Sequence, residues 1–511
     1  MAALHNLMYG FEIALTPSNF LYCLLGAVLG TLVGILPGIG PVTAVAILLP
    51  LTFKMHAISA LIMLAGIYYG AKHAGATTSI MLNMPGEPEA IVICFDGYPM
   101  ARQGRAGPAL CMAALSSFFA GCICIVVITF LSPPLAAAAL TFQGPEYTAT
   151  AILALVGTAV LSRKSTLNTL CMAALGLLIG TVGMDINSGV IRFTMGESRL
   201  TEGINFIPIA MGLFAFVDIC YTLGSSQERV QVKTKLRDLV PRWVDVKLCI
   251  KPILRGTALG GILGILPGTG PLIASFGSYA IEKKLAKDPS RFGNGAIEGV
   301  AAPEAAANAA AFTHFIPMLA LGIPAGATMA LLLGAMLLQG IQPGPQVMTQ
   351  HPDLFWGLVA SMWIGNLMLL VLNLPLVGLW IKMLETPYRF IYPLIVVFCL
   401  IGIYSERNEP FDVLVCAVVV AFGFLMEKLD CAPGPLVLGV LLGPILEENL
   451  RRSMLISRGD PMIFFTRPIS LSIVVLIVAL LAAFMLPALK RTKRVIKTAE
   501  AQYDDGAGEV P

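Results

Sequence analysis

The chain has 511 residues, 57% of them hydrophobic and 12% charged, with a mean hydropathy of +0.82. Soluble domains carry about a quarter charged residues, so this composition excludes a soluble globular protein and predicts a polytopic membrane protein. The net charge of +3 names no partner by itself.

Residues 1–53 contain no Lys or Arg. They show neither a charged n-region nor a small-residue cleavage site, so no removable signal peptide is expected. The first break in the apolar pattern is "GILPGIGP" at 34–41. An apolar run follows at 42–53, then the small-residue stretch "AKHAGATTSI" at 71–80 and a second bend, "LNMPGEP", at 82–88. "FDGYPMARQGRAGPAL" reads as a polar loop in which Asp96 caps backbone donors and Arg102 and Arg105 set topology. Glu87 and Glu89, just past the Pro-Gly bend, read as solvated. Long apolar runs come next at 110–131 and 204–222.

A basic stretch at 229–255 divides the chain, and the motif then returns as "GILPGTGP" at 264–271, an offset of 230. The second copy is followed by an apolar run at 271–281, by "AAPEAAANAA" at 301–310 and by the bend "LGIPAGA" at 321–327. Further apolar runs at 355–381 and 468–489 precede a basic end, Lys490 to Lys497. The spans total roughly ten to thirteen. The reading is an all-α membrane protein with a first repeat at 1–225, a basic cytoplasmic linker at 226–251, a second repeat at 252–489 and a cytoplasmic tail at 490–511. A basic middle and a Lys/Arg-free start predict opposite orientations for the two halves, hence inverted repeats.

Broken helices inside a membrane are tolerated where they line a wet cavity, and their N-termini suit anions. The helix-break positions are Pro37, Gly38, Gly40, Pro41, Pro85 and Gly86 in the first half, and Pro267, Gly268, Gly270, Pro271, Gly322 and Pro324 in the second. Substrate-binding candidates are Thr77, Thr78, Ser79 and Asn83, with Asn308 in the second half. Adding 230 pairs Thr77–Ser79 with Ala307–Ala309. Hydroxyls and amides bind carboxylates or coordinate Na⁺, although Thr and Ser in apolar helices also bond back to their own carbonyls. Lys72 either attracts an anionic substrate or snorkels to an interface; His73 titrates near neutral pH. Glu304, Asn308 and Thr313 are ion-coupling candidates. The cysteines have no zinc spacing and read as small hydrophobes.

These motifs together resemble the large membrane subunit of the tripartite tricarboxylate transporter family, the TctA-type permease. The resemblance runs from about Gly26 to beyond Pro345. It implies an inner-membrane uptake permease for di- or tricarboxylates, driven by an ion gradient. Its expected partners are a small membrane subunit and a periplasmic solute-binding protein; a homo-oligomer is compatible. No cofactor is expected, only Na⁺ or H⁺ as coupling ion. The chain departs from the family pattern at Lys72, His73, Ala74, Ala76 and Ala307. A channel or exporter without a binding protein is the alternative transport class. An intramembrane enzyme using His73, His314, Glu304 or Ser79 lacks any HExxH or GxSxG context, and no Walker motif points to ATP.

Overall fold

A chain in lipid must close its backbone hydrogen bonds on itself, and this one does so with helices. The computed structural model describes residues 2–36, 40–83, 85, 87–161, 165–185, 189–217, 219–220, 241–266, 270–376, 378–380 and 388–482. Pro37, Gly38, Gly86, Pro267, Gly268, much of the basic stretch and the tail from 490 lie outside the described residues. Among those described, the only strands are Gly183–Met184 and Ile191–Arg192, paired antiparallel. The rest is all-α, as the composition predicts.

The first half contains α1 (Ala2–Ala14), α2 (Pro17–Gly34), α3 (Pro41–Leu48), α4 (Ala57–Leu82), α5 (Ile91–Met100), α6 (Ala106–Ala139), α7 (Gly144–Leu161), α8 (Thr166–Gly180) and α9 (Phe206–Ala210). The second contains α10 (Trp243–Leu263), α11 (Gly270–Leu285), α12 (Glu298–Thr313), α13 (Phe315–Leu321), α14 (Ala327–Leu338), α15 (Pro352–Asn373), α16 (Tyr388–Arg407), α17 (Pro410–Lys428) and α18 (Pro433–Ile456). Proline stands in the first turn of α2, α3, α15, α17 and α18, where its missing N–H costs nothing. α10 begins inside the stretch read as linker. Between α5 and α6 the helix kinks at Gly104, whose φ of 77° favours glycine. Four described helical runs are long and apolar enough to cross a membrane: Pro17–Gly34, Pro88–Ala139, Pro352–Asn373 and Pro410–Lys428. Shorter apolar helices include Pro41–Thr52, Ala327–Leu338 and Pro468–Ala482.

The internal repeat is visible in packing. α2 lies on α4 through Gly26, Gly30 and Gly34: an added Cβ would collide with Met63 O, Ile67 O and the Ala71 backbone respectively. α10 lies on α12 in the same way, through Gly256, Gly260 and Gly264 against the carbonyls of Ala302, Ala306 and Ala310. Small residues every fourth position let two backbones approach where lipid gives no hydrophobic drive.

These two ladders correct the register of the repeat. The first helices match at an offset of 230 (26 to 256, 30 to 260, 34 to 264). The second helices match at 239 (63 to 302, 67 to 306, 71 to 310). The additional nine residues fall between the broken helix and the long one, where the second half has a longer helix and loop. The new register also pairs Asn83 (φ 57°) with Gly322 (φ 72°), left-handed caps that each end a helix, and Pro85 with Pro324. Thr77–Ser79 therefore correspond to Ile316–Met318, not to Ala307–Ala309.

Replacing Gly30 or Gly260 with Val forces the paired backbones apart. We expect each to lose about 1–3 kcal/mol or more, read as a lower melting temperature in detergent. Gly75 on α4 has nothing within 4 Å of an added Cβ, so Gly75→Ala raises or preserves it.

Candidate functional site

The broken helices of both halves open onto one cavity of about 480 Å³. Gly40 and Pro41 bring the N-terminus of α3 to it, Pro271 that of α11, and Gly326 and Ala327 that of α14. Tyr68 of α4, His314 between α12 and α13, Thr43, Thr328 and the bend Glu87–Glu89 complete the wall. Each helix start leaves backbone N–H groups without an intrahelical partner. Apart from the two glutamates, the described lining residues carry no formal charge.

The bends also tie the halves together. Ser275 on α11 donates its hydroxyl to Glu89 O at 2.9 Å. Tyr69 stacks on Phe312 with ring centroids 4.6 Å apart, and Tyr68 lies 6.2 Å from Phe315. His314 is 5% exposed and its Nε2 has no hydrogen-bond partner among the described residues.

Lys72 neither snorkels nor stands free. It is 3% exposed, and its Nζ donates to Glu87 Oε1 and Glu89 Oε1, each at 2.8 Å. Both glutamates, read from sequence as solvated, are held in this triad because a buried ammonium must be paired.

Beside this triad on α4, His73 and Thr77 face a second, much smaller void of about 10 Å³, with Ser117, Glu304 and Asn373. That is the size of one water molecule. Glu304 Oε1 accepts from Ser117 Oγ at 2.7 Å and from Asn308 Nδ2 at 2.8 Å. Asn308 also reaches Ser117 Oγ at 2.9 Å. His73 Nδ1 lies 3.0 Å from Tyr69 O.

The remaining sequence candidates sort differently. Thr78 and Ser79 both donate to Gly75 O, at 3.0 and 2.8 Å, so their hydroxyls serve their own helix. Thr313 donates to Ala309 O at 3.0 Å. Asn83 caps α4. Gly40, Pro41 and Pro271 line the large cavity, while Gly270, Pro85, Gly322 and Pro324 flank it along the chain. Sequence reasoning passed over Tyr68 and Ser117, and weighed His314 only as a catalyst. Tyr68 was recoverable from helical spacing, since it stands four residues before Lys72 on one face of α4. Ser117 carries no signal within its apolar run.

Asp96 does cap backbone donors, and across the halves. Its Oδ1 accepts N–H bonds from Gly293, Gly295 and Ala296 at 2.9, 2.8 and 2.8 Å. Its Oδ2 accepts from Tyr279 Oη at 3.0 Å.

The family model for the tripartite tricarboxylate transporter TctA family matches residues 20–438. The chain belongs to that family. Two relatives come from Agrobacterium vitis. One, "Uncharacterized 52.8 kDa protein in TAR-I ttuC' 3'region", is 52% identical over 494 residues, 97% of this chain and 98% of the relative. The other, "Uncharacterized protein in TAR-II ttuC' 3'region", is 56% identical over 235 residues, 46% of this chain and 97% of the relative. No solved structure matches. Membership makes this chain a membrane component of a tripartite transporter, an assembly that includes partner subunits and a binding protein.

Asp96→Ala strips an acceptor from four donors at once. Hydrogen bonds to a charged group contribute roughly 1.5–3 kcal/mol each, and buried donors left without a partner cost more. We expect a fall in unfolding free energy of about 3 kcal/mol or more, and faster proteolysis of the 286–297 loop in membranes. An unchanged melting curve and cleavage pattern would remove the latch from the fold's supports.

Proposed function

We propose that this protein is the large permease subunit of a secondary-active uptake system for organic anions of the di- or tricarboxylate class. It takes its substrate from a periplasmic solute-binding protein, works with a small membrane subunit and is driven by an ion gradient. It lies in the inner membrane as two inverted repeats, with its C-terminus in the cytoplasm.

The observation that carries this reading is the convergence of three helix N-termini, those of α3, α11 and α14, on one cavity. Free N–H groups and the positive ends of helix dipoles suit carboxylates, and the volume falls within the range of small-molecule sites. His314 Nε2 and the hydroxyls of Tyr68 and Thr328 are the side-chain contacts offered to the anion. The proline-glycine breaks let the walls of the cavity move while the glycine-packed helix pairs stay rigid. Glu304, with Ser117, Asn308 and Thr77, is a buried polar cluster coupled to this movement. Family membership supports a transporter, and no motif supports catalysis.

The test is uptake of labelled citrate and succinate by cells carrying the complete system. His314→Gln and Thr328→Val are expected to raise the apparent KM about tenfold or more, the effect of losing one hydrogen bond to a charged ligand. Glu304→Gln is expected to abolish uptake, and Thr78→Ala to leave it near wild type, all at unchanged membrane expression. Full uptake by His314→Gln with loss in Thr78→Ala would move the site out of the cavity and onto α4.

A further inference from the structure

Among the described residues, the cavity that takes an anion has two carboxylates as its only formal charges. Glu87 and Glu89 line it, and behind them Lys72 touches both. Fully ionised, the triad carries one net negative charge at the wall where the substrate carboxylate must sit. Like charges at a few ångströms in a low-dielectric site repel strongly. Anion entry thus requires that this charge be cancelled.

We infer that the Glu87–Lys72–Glu89 triad binds one proton together with each substrate anion, and is the element that couples the ion gradient to uptake. This rests on the permease reading. The proton arrives from water, joins a carboxylate oxygen and takes the triad from one net negative charge to none. It leaves from the same oxygen once the anion has gone.

Two observations favour a proton over a metal cation. The two carboxyls touch one and the same ammonium, each at 2.8 Å, so both acids sit at one point of the wall and a single added proton neutralises it. Each Oε1 is already occupied by the Lys72 ammonium, which repels a second cation. The other ionisable groups around Lys72 are differently engaged. Glu304 faces the small void and accepts from Ser117 and Asn308. His73 lies on that same void. His314 and Tyr68 face the cavity itself, and His314 Nε2 has no hydrogen-bond partner among the described residues. Ser275 anchors the bend that carries Glu89, keeping the pair in place as the cavity fills and empties.

The experiment uses the permease with its small membrane subunit in vesicles enclosing a pH-sensitive dye, with citrate and succinate as probes. Counterflow of labelled anion is followed in vesicles preloaded with unlabelled anion, and lumen pH during net entry into vesicles without it. In the wild type, citrate entry acidifies the lumen, and counterflow depends on pH. Glu87→Gln and Glu89→Gln are expected to cut protons moved per citrate at least tenfold and to flatten the pH dependence of a slowed counterflow. Lys72→Met removes the cation from two carboxylates, and shifts the pH dependence upward by roughly one unit or more. Unchanged proton movement per citrate in both Gln variants overturns the triad. So does wild-type citrate entry that follows external Na⁺ without acidification; either leaves the permease reading standing. Absence of counterflow for both anions in the wild type overturns that reading and this one together.

Discussion

Everything in this fold depends on glycine backbones lying directly on carbonyls. Lipid offers a helix no reason to seek another helix, so association must come from contact distance. α2 on α4 and α10 on α12 achieve it with three glycines each, at intervals of four. These two closely packed pairs form a frame that holds its shape without the short helices. Because the frame is self-sufficient, α3, α11 and α14 can be interrupted and short, and their free ends can be turned inward. Without those interfaces the proline-glycine breaks would expose backbone polar groups to lipid.

The second constraint is charge in a poor solvent. Five ionisable side chains of the central region, Lys72, His73, Glu304, Asp96 and His314, are each at most 5% exposed. The three formal charges among them are handled in three ways. Lys72 is paired with two carboxylates. Asp96 is surrounded by donors from backbone and tyrosine. Glu304 is held by an amide and a hydroxyl but has no ion-pair partner among the described residues.

Much of this was legible in the sequence. Composition and apolar runs reveal the membrane protein, and the duplicated "GILPG" motif locates the helix breaks. The motif also shows that the chain repeats, but not in what register. An offset read from eight identical-looking residues holds only until the first insertion. Beyond the nine-residue insertion it pairs Thr77–Ser79 with α12 instead of α13. The caps Asn83 and Gly322 share one backbone conformation in two different residues, so letter matching passes over them. Lys72 was the hardest to read. Its partners lie 15 and 17 residues away beyond a bend, and only the turn of the chain brings them back. Ser117 and His314 required the assembled cavity walls, since neither sits in a motif of its own.

Asp96 has one more consequence. It belongs to α5 in the first half, yet the three amides it holds precede α12 in the second. Gln103 adds a bond to Asn294 O at 2.9 Å beside it, and Ser275 binds the first half's bend from α11. The sequence divides this chain at its basic middle, but the mechanical seam cannot run there. Whatever displaces α12 drags α5 along with it. The unit these bonds define is therefore a composite, sewn from both halves of the chain, and any boundary between parts that move separately must be sought between elements that these bonds leave unstitched.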